Sequence, residues 1–454
     1  MAQRLFDVIT PLQRFLNKVV NGSVLLFFAT ILAMVIANSS ASDWYNNLLS
    51  YPIHFQIGGI SFFSHHGQNL TMLQFVNDAL MAVFFFLIGL EIKREVLVGE
   101  LSSMRKAILP IIAALGGMIV PVLVFYLICN EAPASAGVAI PIATDIAFAL
   151  GVLALLGKRV PLGMKVFLTA LAVVDDIGGI LVIALFYGGH VAVEPLLISF
   201  VLLAIAYAGG KMGVSNKYFY YLLGFVIWMM FLESGIHPTI AGVLVGITIP
   251  ARPKFDTNMF LNGMRATLDS FPKEGEVHGK RAIVLTHKQI NTLKNLQMMA
   301  DKTISPLQSI ADDLEPIVHY FVLPLFAFVN AGITFDNMDF SITGVPLAIF
   351  SGLFVGKTLG IFLFSYCFLK SGAVSIPKGM NYSNLFAVSV LGGIGFTVAL
   401  FIANLSYANV PEVGASLLNE AKIGVFAGSL ISGFVGYFLL KLTLPPAEQV
   451  NPKE

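Results

Sequence analysis

Thr169-Ala-Leu-Ala-Val-Val-Asp-Asp-Ile-Gly-Gly-Ile-Leu-Val-Ile-Ala184 places two adjacent carboxylates, Asp175 and Asp176, in the middle of an otherwise apolar run. With its flanks the run is long enough to cross a bilayer, which takes about 20 residues of helix. One charge at that depth costs at least ~2.5–3.5 kcal/mol on insertion scales. Two side by side also repel each other, so they cannot both stay charged without compensation. Removing either acid would relieve the cost, which implies that the pair does work. A carboxylate pair that holds protons or a small hard cation, but not both at once, is a site for exchange. The alternative is a pair that only hydrogen-bonds neighbouring helices.

Composition agrees with a membrane setting. The chain has 454 residues, 57% hydrophobic and 12% charged, against about 25% charged in a soluble domain. It reads as an all-α integral membrane protein. A net charge of +1 speaks against a nucleic-acid partner. Cys129 and Cys367 have no metal-ligand spacing and read as two small core residues. Residues 1–22 carry Arg4, Arg14 and Lys18 among Leu5, Phe6, Ile9, Leu12, Phe15, Leu16 and Val19. That pattern predicts an amphipathic helix on the membrane surface, not a cleaved signal.

Twelve spans are expected, near 23–38, 74–92, 107–129, 134–156, 163–187, 192–209, 217–232, 236–249, 315–333, 345–369, 384–406 and 415–440. Lys and Arg recur in alternate loops, at Lys93, Arg94, Arg105 and Lys106, then Lys158 and Arg159, then Lys211, then Arg252 to Lys302, then Lys370 and Lys378. The intervening loops, 39–73, 130–133, 188–191, 233–235 and 334–344, have none. Basic loops face the cytoplasm, so both termini are expected there. The chain divides into a first membrane part, 23–249, an extended cytoplasmic loop, 250–314, a second membrane part, 315–441, and a cytoplasmic tail, 442–454.

Two polar excursions stand out. Residues 51–64 alternate about Gly58-Gly59, a β-hairpin signal on the outer side. An isolated hairpin is marginal in water; pairing with a second copy across a dimer axis would steady it, and a loop without fixed structure is the alternative. In the inner loop, Phe271-Pro-Lys-Glu-Gly275 is turn-like, and Thr286 to Lys302 has apolar residues at helical spacing.

Spans four and eleven are predicted to be interrupted. Span four contains Pro141 and Asp145, and span eleven contains Gly392, Gly393 and Gly395. Proline removes an amide donor and glycine weakens a helix centre. Breaks in corresponding halves, run in opposite directions, indicate inverted-topology repeats with a site at mid-depth. A break exposes partial positive charge at one half-helix and partial negative charge at the other. Asp145 can face the positive ends. Lys357, alone in span ten, can face the negative ends or pair with Asp175 or Asp176. The alternative for the glycines is close helix packing.

Several long stretches resemble the NhaA family of bacterial sodium/proton antiporters. They are Asn77 to Glu95, Ile142-Ala-Thr-Asp-Ile-Ala-Phe148, Val173-Val-Asp-Asp-Ile177, Glu233-Ser-Gly-Ile-His237, Leu323 to Gly332, Gly356-Lys357 and Gly392-Gly-Ile-Gly-Phe-Thr397. The resemblance implies an electrogenic, pH-regulated exporter of Na+ or Li+ in exchange for protons. It implies a bacterial inner-membrane homodimer joined through the outer hairpin, surrounded by lipid. It makes Asp176 the main Na+ ligand and proton carrier, Asp175 the second acid, alternately paired with Lys357, and Thr144 an added oxygen ligand. Asp145 and Lys357 balance the dipoles of crossed helix breaks. Glu91, Glu95, Glu315 and His319 match a cytoplasmic pH-sensing funnel, and His237 matches a further position linked to pH response. Asp78 reads as a helix cap.

Such a protein is a transporter, not an enzyme, and needs no cofactor beyond the ions it moves. The chain departs from the family pattern in its longer inner loop and in Pro316, which follows Glu315 directly. Sodium-coupled uptake of a small solute is the rival reading; few polar residues remain at mid-depth to hold a solute.

Overall fold

The computed structural model describes residues 22–57, 60–65, 68–187, 191–269, 286–334, 343–372, 374–408 and 410–445. The expected N-terminal amphipathic helix, the turn at Phe271 and residues 446–454 lie outside them. Helix dominates because an apolar run in lipid must satisfy its amides within its own segment.

In chain order the helices are α1 (Gly22–Ala37), α2 (Ser42–Ser50), α3 (Met72–Val98), α4 (Met104–Ile128), α5 (Ile146–Leu155), α6 (Leu162–Phe186), α7 (Val193–Lys211), α8 (Lys217–Ser234), α9 (Thr239–Thr248), α10 (Thr257–Asp269), α11 (His287–Thr303), α12 (Pro306–Ile317), α13 (Leu323–Asn330), α14 (Val345–Lys370), α15 (Tyr382–Leu391), α16 (Phe396–Tyr407) and α17 (Gly414–Thr443). A 3-10 helix, Ala134–Ile142, precedes α5. Six helices, α3, α4, α6, α7, α14 and α17, are long and apolar enough to cross a bilayer. Three bent pairs raise the number of candidate spans among the described residues to nine: α1 with α2 (113°), the 3-10 helix with α5 (46°), and α15 with α16 (45°).

Three π turns interrupt the ladders, at Val76–Leu80 within α3, Val318–Val322 between α12 and α13, and Gly352–Gly356 within α14. Such turns gather at functional sites. Here they hold Asp78 and His319 and end immediately before Lys357. No local residue pattern announces them.

The helices pack as two groups. One contains α4, α6, α14, α15, α16 and α17; the other contains α1, α3, α8, α9, α12 and α13, with α7 against α8 and α9. They meet where α3 touches α6, where α13 touches α16, and where α1 touches α5, which packs on α6 and α17 of the first group. Within the first group α4 and α14 cross at Gly116 and Gly360, where a Cβ on either would run into the other's backbone carbonyl.

Between α2 and α3 the chain makes short antiparallel ladders, Gln56–Ile57 with Ile60–Ser61 and Ser64–His65 with Gln68–Asn69. Ile53 N donates to Leu70 O (2.8 Å) and Met72 N to Tyr51 O (2.9 Å), so the excursion closes at its base. It extends beyond the expected 51–64. Its own chain steadies it: Phe62 stacks on Phe225 (6.4 Å) and Phe63 lies 6.2 Å from Trp228, both on α8.

Two expectations are corrected. Asp78 does not cap α3. The cap is Thr71, whose side chain and that of Gln74 bond reciprocally to each other's backbone amides. Cys129 is buried but Cys367 is exposed, because α14 turns that face away from its neighbours.

The inner loop is a closed excursion. α10 and α11 pack on each other, and Lys254 N and Phe255 N both donate to Lys302 O (3.0 Å each) at the base. Thr286 and Gln289 form a capping box at the start of α11. Lys217 Nζ, at the start of α8, pairs with Asp313 on α12 at 2.6 Å.

Candidate functional site

Two of the bent pairs, the 3-10 helix with α5 and α15 with α16, touch at their breaks. Pro141, which has no amide to donate, ends the tight turn of Ala134–Ile142; Ala143 and Asp145 are then extended, and α5 starts at Ile146. In the other pair α15 ends at Leu391 and α16 starts at Phe396, with Gly392, Gly393 and Gly395 between. Asp145 N donates to Ile394 O (2.6 Å), joining one break to the other.

Asp145 serves both helix starts. Its Oδ1 accepts from Phe148 N (2.9 Å) in the first turn of α5. Its Oδ2 accepts from Thr397 N (3.1 Å) and Thr397 Oγ1 (2.6 Å) in the first turn of α16. One carboxylate thus meets the positive ends of two helices, where an anion is stabilised by dipole and amides together. Ser429 of α17 completes the set, its Oγ accepting from Gly395 N (3.2 Å) and Phe396 N (3.1 Å).

Lys357 meets Asp175. Its Nζ lies 2.8 Å from Asp175 Oδ2, and neither side chain is exposed. Lys357 also donates to Thr144 Oγ1. The Thr144 hydroxyl reaches Asp175 Oδ2 (2.7 Å) and Gly392 O (3.2 Å), and its single proton can serve one of them at a time. Thr144 therefore ties the lysine–aspartate pair to the C-terminal end of α15. Asp175 Oδ1 is buried and hydrogen-bonds no described residue.

Asp176 is different. It is 5% exposed, and among the described residues neither a hydrogen bond nor an ion pair engages its carboxylate. It is in electrostatic reach of Asp175, Glu91, Lys357 and Asp145. Asp145 has its amides and Asp175 has Lys357, so among the described residues Asp176 is the acid of the three without a bonded partner. No cluster of three or more His, Cys, Asp or Glu side chains among the described residues could hold a metal ion, so a cation at Asp176 would draw on hydroxyl, carbonyl or water oxygens as well, as hard cations do.

A cavity of about 520 Å³ opens between the two helix groups at one end. Ser23, Ala147, Gly151, Ala154, Glu315 and His319 are among its lining residues. Glu91 is in electrostatic reach of His319, Glu315 and Glu95, and Asp176 is in reach of Glu91. Four expected funnel residues are therefore near one another, and Glu315 and His319 line the cavity. Glu95 Oε2 accepts from Glu100 N (3.0 Å), and His319 Nδ1 lies 2.8 Å from Glu315 O. His237 stands apart from them. It is 9% exposed, its Nδ1 is 2.8 Å from Thr239 Oγ1 and its Nε2 is 3.6 Å from Asp78 Oδ1.

Sequence reasoning missed Ser429 and a buried amide chain, Asn77–Asn330–Asn404, linked at 2.8 Å per step. One polar residue in an apolar run looks like helix packing, so only the spatial partner reveals it.

A family model described as Na+/H+ antiporter 1 matches residues 13–440. A protein from Parabacteroides distasonis named Na+/H+ antiporter NhaA is 61% identical over 96% of this chain and 97% of its own. Proteins of the same name from Porphyromonas gingivalis (51% identical, 97% of each chain) and Bacteroides fragilis (52% identical, 96% of this chain and 99% of its own) are also similar.

Proposed function

The chain belongs to the Na+/H+ antiporter 1 family, and from that premise we propose that it exports Na+ in exchange for protons through competition at Asp176. The carrying observation is that Asp176 is the buried acid of the site without a fixed partner. A proton or a Na+ ion neutralises it, and only the neutral site is cheap enough to carry through a low-dielectric barrier. Thr144 and Asp175 supply further oxygens once Lys357 swings away, because Lys357 now occupies both. Li+, also small and hard, substitutes for Na+. More protons enter than Na+ ions leave, so the exchange is electrogenic.

The same reading orders the rest of the molecule. The six long helices and three bent pairs, together with α8, α9 and the α12–α13 pair, make twelve spans in two inverted halves. Two of the bent pairs, the 3-10 helix with α5 and α15 with α16, are the broken fourth and eleventh spans. The first membrane part is 23–249, the extended loop 250–314 and the second part 315–441. The cavity end, the basic loops and both termini face the cytoplasm of a bacterial inner membrane. The hairpin end faces outward and joins two copies into a homodimer. Glu91, Glu95, Glu315 and His319 tune the exchange to cytoplasmic pH, since a histidine near neutrality suits a switch.

The test is sodium/proton exchange in proteoliposomes across pH, with and without an imposed voltage. Na+-driven proton movement that responds to voltage is expected. A Na+ flux without opposed protons would refute exchange, and uptake of a co-substrate with Na+ would favour symport.

A further inference from the structure

Asn404 of α16 and Asn330 of α13 are 74 positions apart, yet Asn404 Nδ2 donates to Asn330 Oδ1 at 2.8 Å in a buried seam. They belong to different helix groups. Each amide spends one hydrogen on its own helix, Asn404 on Leu400 O and Asn330 on Phe326 O, both at 2.9 Å. The other hydrogen of Asn330 goes to Asn77 of its own group. The Asn404–Asn330 bond is thus the member of this network that crosses between groups. Close by, Lys422 of α17, 8% exposed, donates to Gly332 O just after α13 (3.2 Å).

These bonds sit at the end opposite the cavity. α5 and α16 both start at the crossing; Ala147, Gly151 and Ala154 of α5 line the cavity, whereas Asn404 lies two turns along α16 from Thr397, roughly 10 Å at 1.5 Å per residue. On one side of Asp176 the groups part around a cavity, at whose edge the half-buried Ser23 Oγ still donates to Ala147 O (3.0 Å), and on the other side buried polar bonds close the seam.

We propose that the Asn330–Asn404 amide pair and the Lys422–Gly332 contact are the outer latch of the exchanger. They hold the inward-open arrangement and break when Asp176 turns outward. The proposal rests on the exchange reading above and adds the positioning residues that set which side the site faces. In an apolar seam no water replaces a lost partner, so the bonds favour the closed seam until the groups part. A site available from the outside only in a minor state has its apparent affinity there reduced by that state's population. Weakening the latch raises that population and strengthens outside Na+ binding, while the inside value, already near its limit, stays put.

The experiment measures half-saturating Na+ from each side in proteoliposomes of uniform orientation. Asn404→Ala and Asn330→Ala are each expected to lower the outside value about threefold, the average effect of one interhelical bond in a membrane, with the inside value unchanged. The double variant is expected to add nothing to either single, and Asn404→Gln to restore part of the effect. Lys422→Gln gives an independent reading with the same sign if the amide variants do not fold. Equal changes on both sides, or none in any folded variant, overturn the latch. A wild-type protein that exchanges no Na+ for protons refutes the exchange reading instead.

Discussion

Lys357 Nζ is 2.8 Å from Asp175 Oδ2 with both side chains fully buried. A charge pair taken out of water gains little net stability, but breaking it is costly, because the survivor is left alone in low dielectric. That asymmetry makes the pair a restraint with two settings. While Lys357 holds Asp175 and Thr144, the oxygens a cation needs are occupied; when it leaves, they are free.

Lys357→Met and Asp175→Asn are each expected to lower stability by about 3–5 kcal/mol. The double variant should recover much of that loss, since it leaves no orphaned charge. Thermal melting in detergent checks the cycle. Additive losses would show that the two residues do not compensate each other.

Asp176→Asn is expected to abolish exchange and leave the melting temperature at or above wild type, because it removes a charge that no fixed partner offsets. Na+-driven dequenching of a pH dye in vesicles gives the readout. Wild-type-like dequenching would reject Asp176 as the carrier.

Asp145→Ala leaves amides at the starts of both α5 and α16 without their acceptor. Each buried donor so orphaned costs ~1–3 kcal/mol, so the variant is expected to melt far below wild type. Asp145→Asn keeps an acceptor oxygen and should lose less. Ser429→Ala, which strips Gly395 N and Phe396 N, should fall between wild type and Asp145→Ala in the same melt.

Joining residue 255 to residue 302 excises the packed pair α10 and α11 at a base where the chain already hydrogen-bonds to itself. Exchange at saturating pH should survive, and the pH midpoint should move, because α12 follows directly and leads to Glu315 and His319. A pH titration of proteoliposome exchange decides it; loss of activity at every pH would place the excursion within the transport machinery.

Removing the strand pair about residues 55–62 should convert a dimer to a monomer on size-exclusion chromatography with light scattering, and leave exchange intact at saturating Na+. The packing of Phe62 and Phe63 against Phe225 and Trp228 supplies a second role, so a modest drop in melting temperature is also expected. A variant that stays dimeric would remove the hairpin from the interface.

Some of this was legible in the residues and some was not. Asp175, Asp176, Asp145 and Lys357 announced themselves because a charge in an apolar run has a cost set by residue type and depth alone. The same logic found Pro141 and the glycines of 392–395. It failed at Asp78, where Thr71 and Gln74 form the cap, and at Cys367, whose exposure depends on which helix face has a neighbour. It passed over Ser429, Asn330, Asn404 and Lys422, whose partners are distant in sequence.

The sequence by itself determined that this is a membrane protein of many helices, with an acid pair and a lone lysine that require compensation, since the cost of burying a charge follows from local composition. Only the tertiary structure decided who compensates whom. Lys357 takes Asp175, 182 positions away, and Thr397 gives its amide to Asp145, 252 positions away. Such choices follow from how two bent helix pairs cross, and a crossing is a property of packing in three dimensions that no local pattern encodes.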